Sequence, residues 1–200
     1  MRLRDPIKER AIRQRALAMI VKSGFDGLSM HKVAEAAGVS PATIYIYFQD
    51  RDDLIFRLYE EENGKMAEAA LADFDPQMPF AEGLRRQWIN RARYCLANPR
   101  AAHFLEQMRF SPLFKRCEKA GGAKGGRFGE TMKQFVANAI ARGELVRMPV
   151  AVYWSVAFAP LYQLVKFHLA GRSLPGAGPF ALDQETLDQA LALVLKALKP

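Results

Sequence analysis

The stretch from Ser29 to Phe48, SMHKVAEAAGVSPATIYIYF, restricts the fold more than any other part of the chain. Ser29 is a good N-cap for a short helix through Val33, Ala34 and Ala37, and Gly38 ends it by supplying a left-handed residue. Ser40 then caps a second helix, with Pro41 at its first position. Two short helices joined by so tight a glycine turn form a helix-turn-helix, and the small alanines let them cross closely. Upstream, Asp5 caps a helix that Pro6 opens and Ser23-Gly24 ends, with Phe25 folding back onto it. Its face of Ile12, Ala16 and Ile20 matches the inward set Val33, Ala37, Val39, Ile44 and Phe48, so a three-helix core is expected.

That core leaves the third helix an outward side, to which Pro41, Ala42, Thr43, Tyr45 and Tyr47 are assigned. The chain carries 29 Lys and Arg against 21 Asp and Glu, a net charge of +8, which suits a polyanionic partner. Arg2, Arg4, Lys8, Arg10, Arg13 and Arg15 precede the motif and could add salt-sensitive affinity. No Arg, Lys, Asn or Gln stands at positions 41–47, so bidentate hydrogen bonds to guanine or adenine are unavailable there. Specificity is expected from apolar contacts of Pro41, Ala42 and the Tyr45 ring with thymine methyls, and from His31 or an arm bearing Arg2 and Arg4.

The sequence resembles the TetR family of bacterial transcriptional regulators. The resemblance rests on Gly24-Phe25, Val33 to Ser40, Ile44-Tyr45, Tyr47-Phe48 and Asp53-Leu54, and covers roughly residues 8–60. It implies a homodimer with a DNA-binding domain at each N-terminus and a C-terminal domain that dimerises and binds a small-molecule effector. It also implies a repressor released from a palindromic double-stranded operator by that effector. Carried over by position, Pro41, Ala42, Tyr45 and His31 would meet base edges, and Ser29, Lys32, Thr43, Tyr47 and Arg51 would meet phosphates. Arg51 stands where lysine is more usual in the family, and either cation suits a phosphate.

Helical periodicity continues along the chain without a convincing strand, so the fold class is all-α. The expected order is an N-terminal helix-turn-helix domain at 1–50 and a helical bundle for effector binding and dimerisation at 51–200. Asp50 caps a helix to about residue 73, with Asp53 in the capping-box position and Leu54, Leu58 and Met66 inward. Further helices are expected at about 80–97, 100–110, 127–143, 149–170 and 183–198. The run from Val150 to Val165, broken by Ser155, Pro160 and Gln163, falls short of a membrane span and reads as a buried core helix kinked at Pro160. Being apolar nearly all round, it should also meet a second subunit. Leu187, Leu191, Val194 and Leu198 form a stripe on the last helix and are assigned to the dimer interface.

Phe80, Leu84, Trp88, Ala92 and Cys95 mark one buried face, and Arg91 falls inside it. A guanidinium there needs a partner, either a chain carboxylate such as Glu106 or the carboxylate or phosphate of a ligand. The ligand-lining set is Trp88, Arg91, His103, Phe104, Met108, Phe135, Trp154, Phe158 and Tyr162, which suits a hydrophobic or aromatic effector.

Other chemistries find little support. Cys95 and Cys117 are too few for a disulfide framework, and their spacing with His103 fits no metal-ligand pattern. The segment from Gly121 to Phe128 lacks the Lys-Ser/Thr pair and preceding strand of a phosphate loop. No cofactor, metal or catalytic constellation is expected, and the chain does not read as an enzyme. The charged start lacks the apolar run of a secretory signal, so the cytoplasm is the expected compartment. The competing readings are a helical ligand-binding protein or enzyme retaining a helix-turn-helix, and a nonspecific DNA-coating protein.

Overall fold

The computed structural model describes residues 5–119 and 126–200, and among these it is built from eleven α-helices, without a strand. In chain order they are α1 (Pro6–Ser23), α2 (Met30–Ala36), α3 (Pro41–Tyr47), α4 (Arg51–Ala70), α5 (Phe80–Ala97) and α6 (Pro99–Arg109), followed by α7 (Pro112–Lys119), α8 (Gly126–Ala141), α9 (Val150–Ala157), α10 (Ala159–Ala170) and α11 (Gln184–Leu198). The chain divides into two compact units, Met1–Lys65 with Asn98–Lys124, and Met66–Ala97 with Gly125–Pro200.

The first unit is larger than the 1–50 segment expected from the sequence. Ile12, Ala16, Ile20, Val33, Ala34, Ile44 and Phe48 are fully buried, and the same core takes in Leu54 and Leu58 of α4, Phe104 and Met108 of α6, and Cys117 of α7. Ala37, Val39 and Phe25 pack against it half-buried, Phe25 with its ring centroid 6.2 Å from that of Phe104. A domain of about 50 residues buries too little of its own surface to be robust, so the added helices complete the core. Sequence periodicity had placed Phe104 and Met108 in the second domain and had not separated α7 from its surroundings.

In the second unit, Gly83 of α5 permits a close approach: a Cβ there would lie 2.4 Å from Cε2 of Phe135 on α8. Phe135 is fully buried, with Phe80 stacked at 5.7 Å and Phe74 edge-on at 5.0 Å. Gln87 Nε2 donates to the carbonyl of Ala70 (2.7 Å), and Asn90 Nδ2 to those of Ala70 and Ala72 (3.2 and 2.7 Å), which satisfies the frayed end of α4.

The single helix expected over 149–170 is two. Phe158 leaves helical geometry at φ −127°, and Pro160, in the first turn of α10, has no N–H to continue α9. Trp88 Nε1 donates 2.7 Å to the carbonyl of Ala157 at this break. Nor is the segment a buried core helix. By length and composition Val150–Ala170 could cross a membrane, with a mean hydropathy of 1.2, yet only 28% of its most apolar window is buried within the chain. The α11 stripe is corrected in the opposite sense. Leu187, Leu191, Val194 and Leu198 are all buried by their own chain, where α11 packs on α9, α10 and α5, so they are not available to a second subunit. The exposed large apolar residues of this region include Val150, Val152, Leu169, Leu174 and Leu193.

Candidate functional site

Local hydrogen bonds build the helix-turn-helix as the caps predict. Ser29 Oγ accepts from the backbone N–H of Lys32 at 3.2 Å, and Ser40 Oγ accepts from that of Thr43 at 3.2 Å. Between them the chain reverses through Gly38 at φ +67°, with Gly38 N–H donating to Glu35 and Val39 N–H to Ala34, both at 3.0 Å. Two acidic side chains open α4: Asp50 Oδ1 accepts the Asp53 N–H (2.8 Å), and Asp53 Oδ2 reaches back one residue beyond the cap to accept the Gln49 N–H (2.9 Å).

With Ile44, Tyr47 and Phe48 turned inward, α3 presents Pro41, Ala42, Tyr45 and Ile46 to solvent. His31 and Lys32 of α2 are exposed as well. Ile46 was missed in the sequence, although 100° per residue puts it beside Ala42 once Ile44 and Phe48 are fixed inward. Ser29 and Thr43 are half-buried, and their hydroxyls already serve the caps, Thr43 Oγ1 lying 2.7 Å from Ser40 Oγ.

Two residues assigned to phosphates have other work. Tyr47 is buried rather than outward, and its hydroxyl accepts the backbone N–H of Asp5 at 3.1 Å. Arg51 is half-buried and donates through Nε to the carbonyl of Leu28 (3.2 Å) and through Nη2 to that of Phe25, which holds the α1–α2 connection. Arg2 and Arg4 lie outside the described residues, as do Gly121–Gly125 of the glycine-rich segment.

The ligand-lining set separates between the units. His103, Phe104 and Met108 belong to the first unit: Phe104 and Met108 fill its core, and His103 Nε2 lies 3.1 Å from Gln107 Nε2 at the surface. Trp88, Arg91, Phe135, Trp154, Phe158 and Tyr162 belong to the second. Trp88 and Phe135 are fully buried packing residues there.

Arg91 is 3% exposed, as its place in the apolar stripe predicts, and no ion pair to a carboxylate of its own unit is found among the described residues. Its Nε donates to Gln87 Oε1 (3.2 Å) and its Nη1 to the Tyr162 hydroxyl (2.7 Å). The guanidinium carbon sits 4.6, 5.2 and 5.3 Å from the ring centroids of Phe158, Trp154 and Phe128. Beside it, burial pushes the Cys95 thiol up to about 11, which leaves it protonated and inert as a nucleophile. Burial raises the Tyr153 hydroxyl as well, against the opposing pull of the Arg91 charge. No group of three His, Cys, Asp or Glu side chains that could hold a metal ion occurs among the described residues.

Residues 12–58 match the sequence profile of the family described as bacterial regulatory proteins, tetR family. An uncharacterised HTH-type transcriptional regulator of Haemophilus influenzae is 32% identical over 97 residues, 48% of this chain and 52% of that protein. A fatty acid metabolism regulator protein of Bacillus subtilis is 30% identical over 69 residues, 34% of this chain and 36% of that one. The chain thus spans about half or less of the length of these curated relatives. Over nearly the whole length, a TetR family transcription regulator from Marinobacter aquaeolei VT8 superposes with a TM-score of 0.79 at 28% identity, covering 99% of this chain and 98% of that one.

Proposed function

We propose that the chain is a member of the TetR family of bacterial regulatory proteins and a cytoplasmic, sequence-specific DNA-binding transcriptional regulator, a homodimeric repressor released from a palindromic operator by a small molecule. The observation that carries this reading is the outward face of α3. Pro41, Ala42, Tyr45 and Ile46 stand exposed on a helix fixed by its cap, its turn and its buried side. Helical packing alone gives no reason to expose a tyrosine and an isoleucine side by side, whereas a recognition helix uses such groups against thymine methyls in the major groove. His31 and Lys32 beside them supply a polar contact and a phosphate contact. In a dimer the two recognition helices would enter successive major grooves about 34–36 Å apart. An effector that favours a different separation weakens that fit, and by linkage DNA weakens effector binding by the same factor.

Selection from random-sequence duplex DNA at physiological salt tests the reading. An enriched palindrome is expected from the native chain, with altered preference or none from Tyr45→Ala and Ala42→Asp variants that melt normally. Retention of DNA without any enriched sequence would make the chain a nonspecific DNA-coating protein instead.

A further inference from the structure

We propose that Arg91 and Tyr153 form a receptor for one carboxylate group, so that the effector is an organic monoanion whose apolar body lies against aromatic rings. The word effector here rests on the regulatory reading above; the anion site itself does not.

Arginine offers five N–H donors, and on Arg91 those of Nε and Nη1 go to neutral acceptors, Gln87 and Tyr162. Nη2 is buried and has no hydrogen-bond partner. Phe128, Trp154 and Phe158 present ring faces, which attract the charge without neutralising it. A buried guanidinium whose contacts among the described residues are all with neutral groups is an unusual arrangement, because desolvation of the charge is ordinarily repaid by an anion. A second buried polar atom without a partner lies in the same region, the hydroxyl of Tyr153 on α9. The Tyr153 ring packs edge-on against Phe158, the ring nearest the guanidinium, at 6.1 Å. The Arg91 charge also acts on that hydroxyl.

Two donors without partners, linked through the Phe158 ring, and a positive charge that no described carboxylate pairs match a group with one negative charge and strong acceptor oxygens. A carboxylate meets that description. A phosphate dianion would bring a second negative charge to a site described around one guanidinium, and a neutral alcohol would leave that guanidinium as it is. The surrounding rings select a body that is flat or apolar.

The test uses the full-length protein without DNA, titrated with benzoate and decanoate, with benzyl alcohol and decanol as matched neutral probes, and with phenyl phosphate. Trp154, 5.2 Å from the guanidinium, reports occupancy through its fluorescence, and thermal melting gives an independent reading. At least one carboxylate should bind about tenfold more tightly than its alcohol, as one charge-assisted hydrogen bond implies. Arg91→Met should abolish that preference, and Arg91→Lys should restore part of it. Tyr153→Phe keeps the ring and should reduce the preference severalfold, which supplies a second variant if Arg91→Met does not fold. Equal binding of acid and alcohol by the native chain, a preference that survives in Arg91→Met, or tighter binding of phenyl phosphate than of benzoate would each overturn the proposal. Operator retention measured on the same samples separates the two readings. Loss of the acid preference with DNA selection intact removes the anion site alone, and acid binding that never changes DNA retention removes the effector role alone.

Discussion

The hydroxyl of Tyr47 accepts the backbone N–H of Asp5, joining the last residue of α3 to the residue that caps α1. Because the tyrosine is buried, it holds α3 in place and offers no outward contact. Tyr47→Phe keeps the ring and removes the acceptor, and the expected cost is about 1 kcal/mol, or a melting temperature lower by roughly 2–4 °C. A residue that touched phosphate would lower the salt slope of DNA binding by about one when changed. For Tyr47→Phe the slope should stay as it is while affinity falls slightly, and a melt beside a salt titration checks both.

Arg51 invites the opposite assumption, since it is a cation at a position the resemblance assigns to phosphate. Its guanidinium instead spans two carbonyls, Leu28 and Phe25, and Asp52 lies 3.8 Å away. Lysine is a point donor that cannot reproduce this planar geometry. Arg51→Lys should therefore destabilise the fold by about 1 kcal/mol, as for one lost hydrogen bond, and leave the salt slope of DNA binding unchanged. A variant that melts normally and binds DNA with a changed slope would return Arg51 to the phosphate.

Two helical glycines should respond to alanine with opposite signs. At Gly83 the new methyl meets the Phe135 ring, which is boxed in by Phe74 and Phe80 and cannot swing away. Overpacking of this kind costs about 1–3 kcal/mol, against a gain of up to about 1 kcal/mol in helix propensity. At Gly64 in α4 the methyl enters open space, so only the propensity gain remains. Denaturant midpoints should fall for Gly83→Ala and rise for Gly64→Ala.

The local features were legible because their physics is local. Asp5, Ser29, Ser40 and the Asp50–Asp53 pair each act within four residues, and each forms the cap its sequence context predicts. Tyr47 was legible too, since Ile44, Tyr47 and Phe48 keep the i, i+3, i+4 spacing of a buried side, but it was assigned to the outward side of the helix, and the resemblance then added a phosphate role. Partners were a different matter. The stripes of Phe104 and Met108, and of Leu187 to Leu198, announce a buried face without saying which surface buries it. Arg91 shows both sides of this: its burial follows from its angle on α5, whereas Tyr162 reaches it from a helix 71 residues downstream.

Acid sensitivity should arise in part at Glu144. Hydrogen bonds from Arg142, and then the backbone N–H of Phe80 at 2.8 Å, hold this carboxylate below its ordinary value of 4.5. Since its folded value is depressed, the stability it contributes is present above pH 4.5 and is lost as the pH falls through the folded value. Asp183, the cap of α11, follows the same sign from 3.8 through its bond from the Thr186 N–H. Glu144→Gln keeps an acceptor for Phe80 but removes the charge. Its melting temperature should lie below that of the native chain near neutrality, and the gap should close as the pH drops below 4.5.

The apolar segment Val150–Ala170 bears on assembly. Its neighbours within the chain leave Val150, Val152 and Leu169 exposed, and Leu193 of α11 is 70% exposed as well. The inward stripe of α11 is already buried, so the outward residues of this region are the apolar surface it offers for self-association. A homodimer formed through them should sediment at twice the 22.5 kDa of one chain. The double variant Val152→Glu, Leu193→Glu leaves the core side of both helices untouched, and it should sediment as a single chain while melting in one transition. Single chains carry one recognition helix, so this variant should also lose its preference for a palindrome over a half-site and bind either weakly. A variant that still sediments as a dimer would place the interface on other residues.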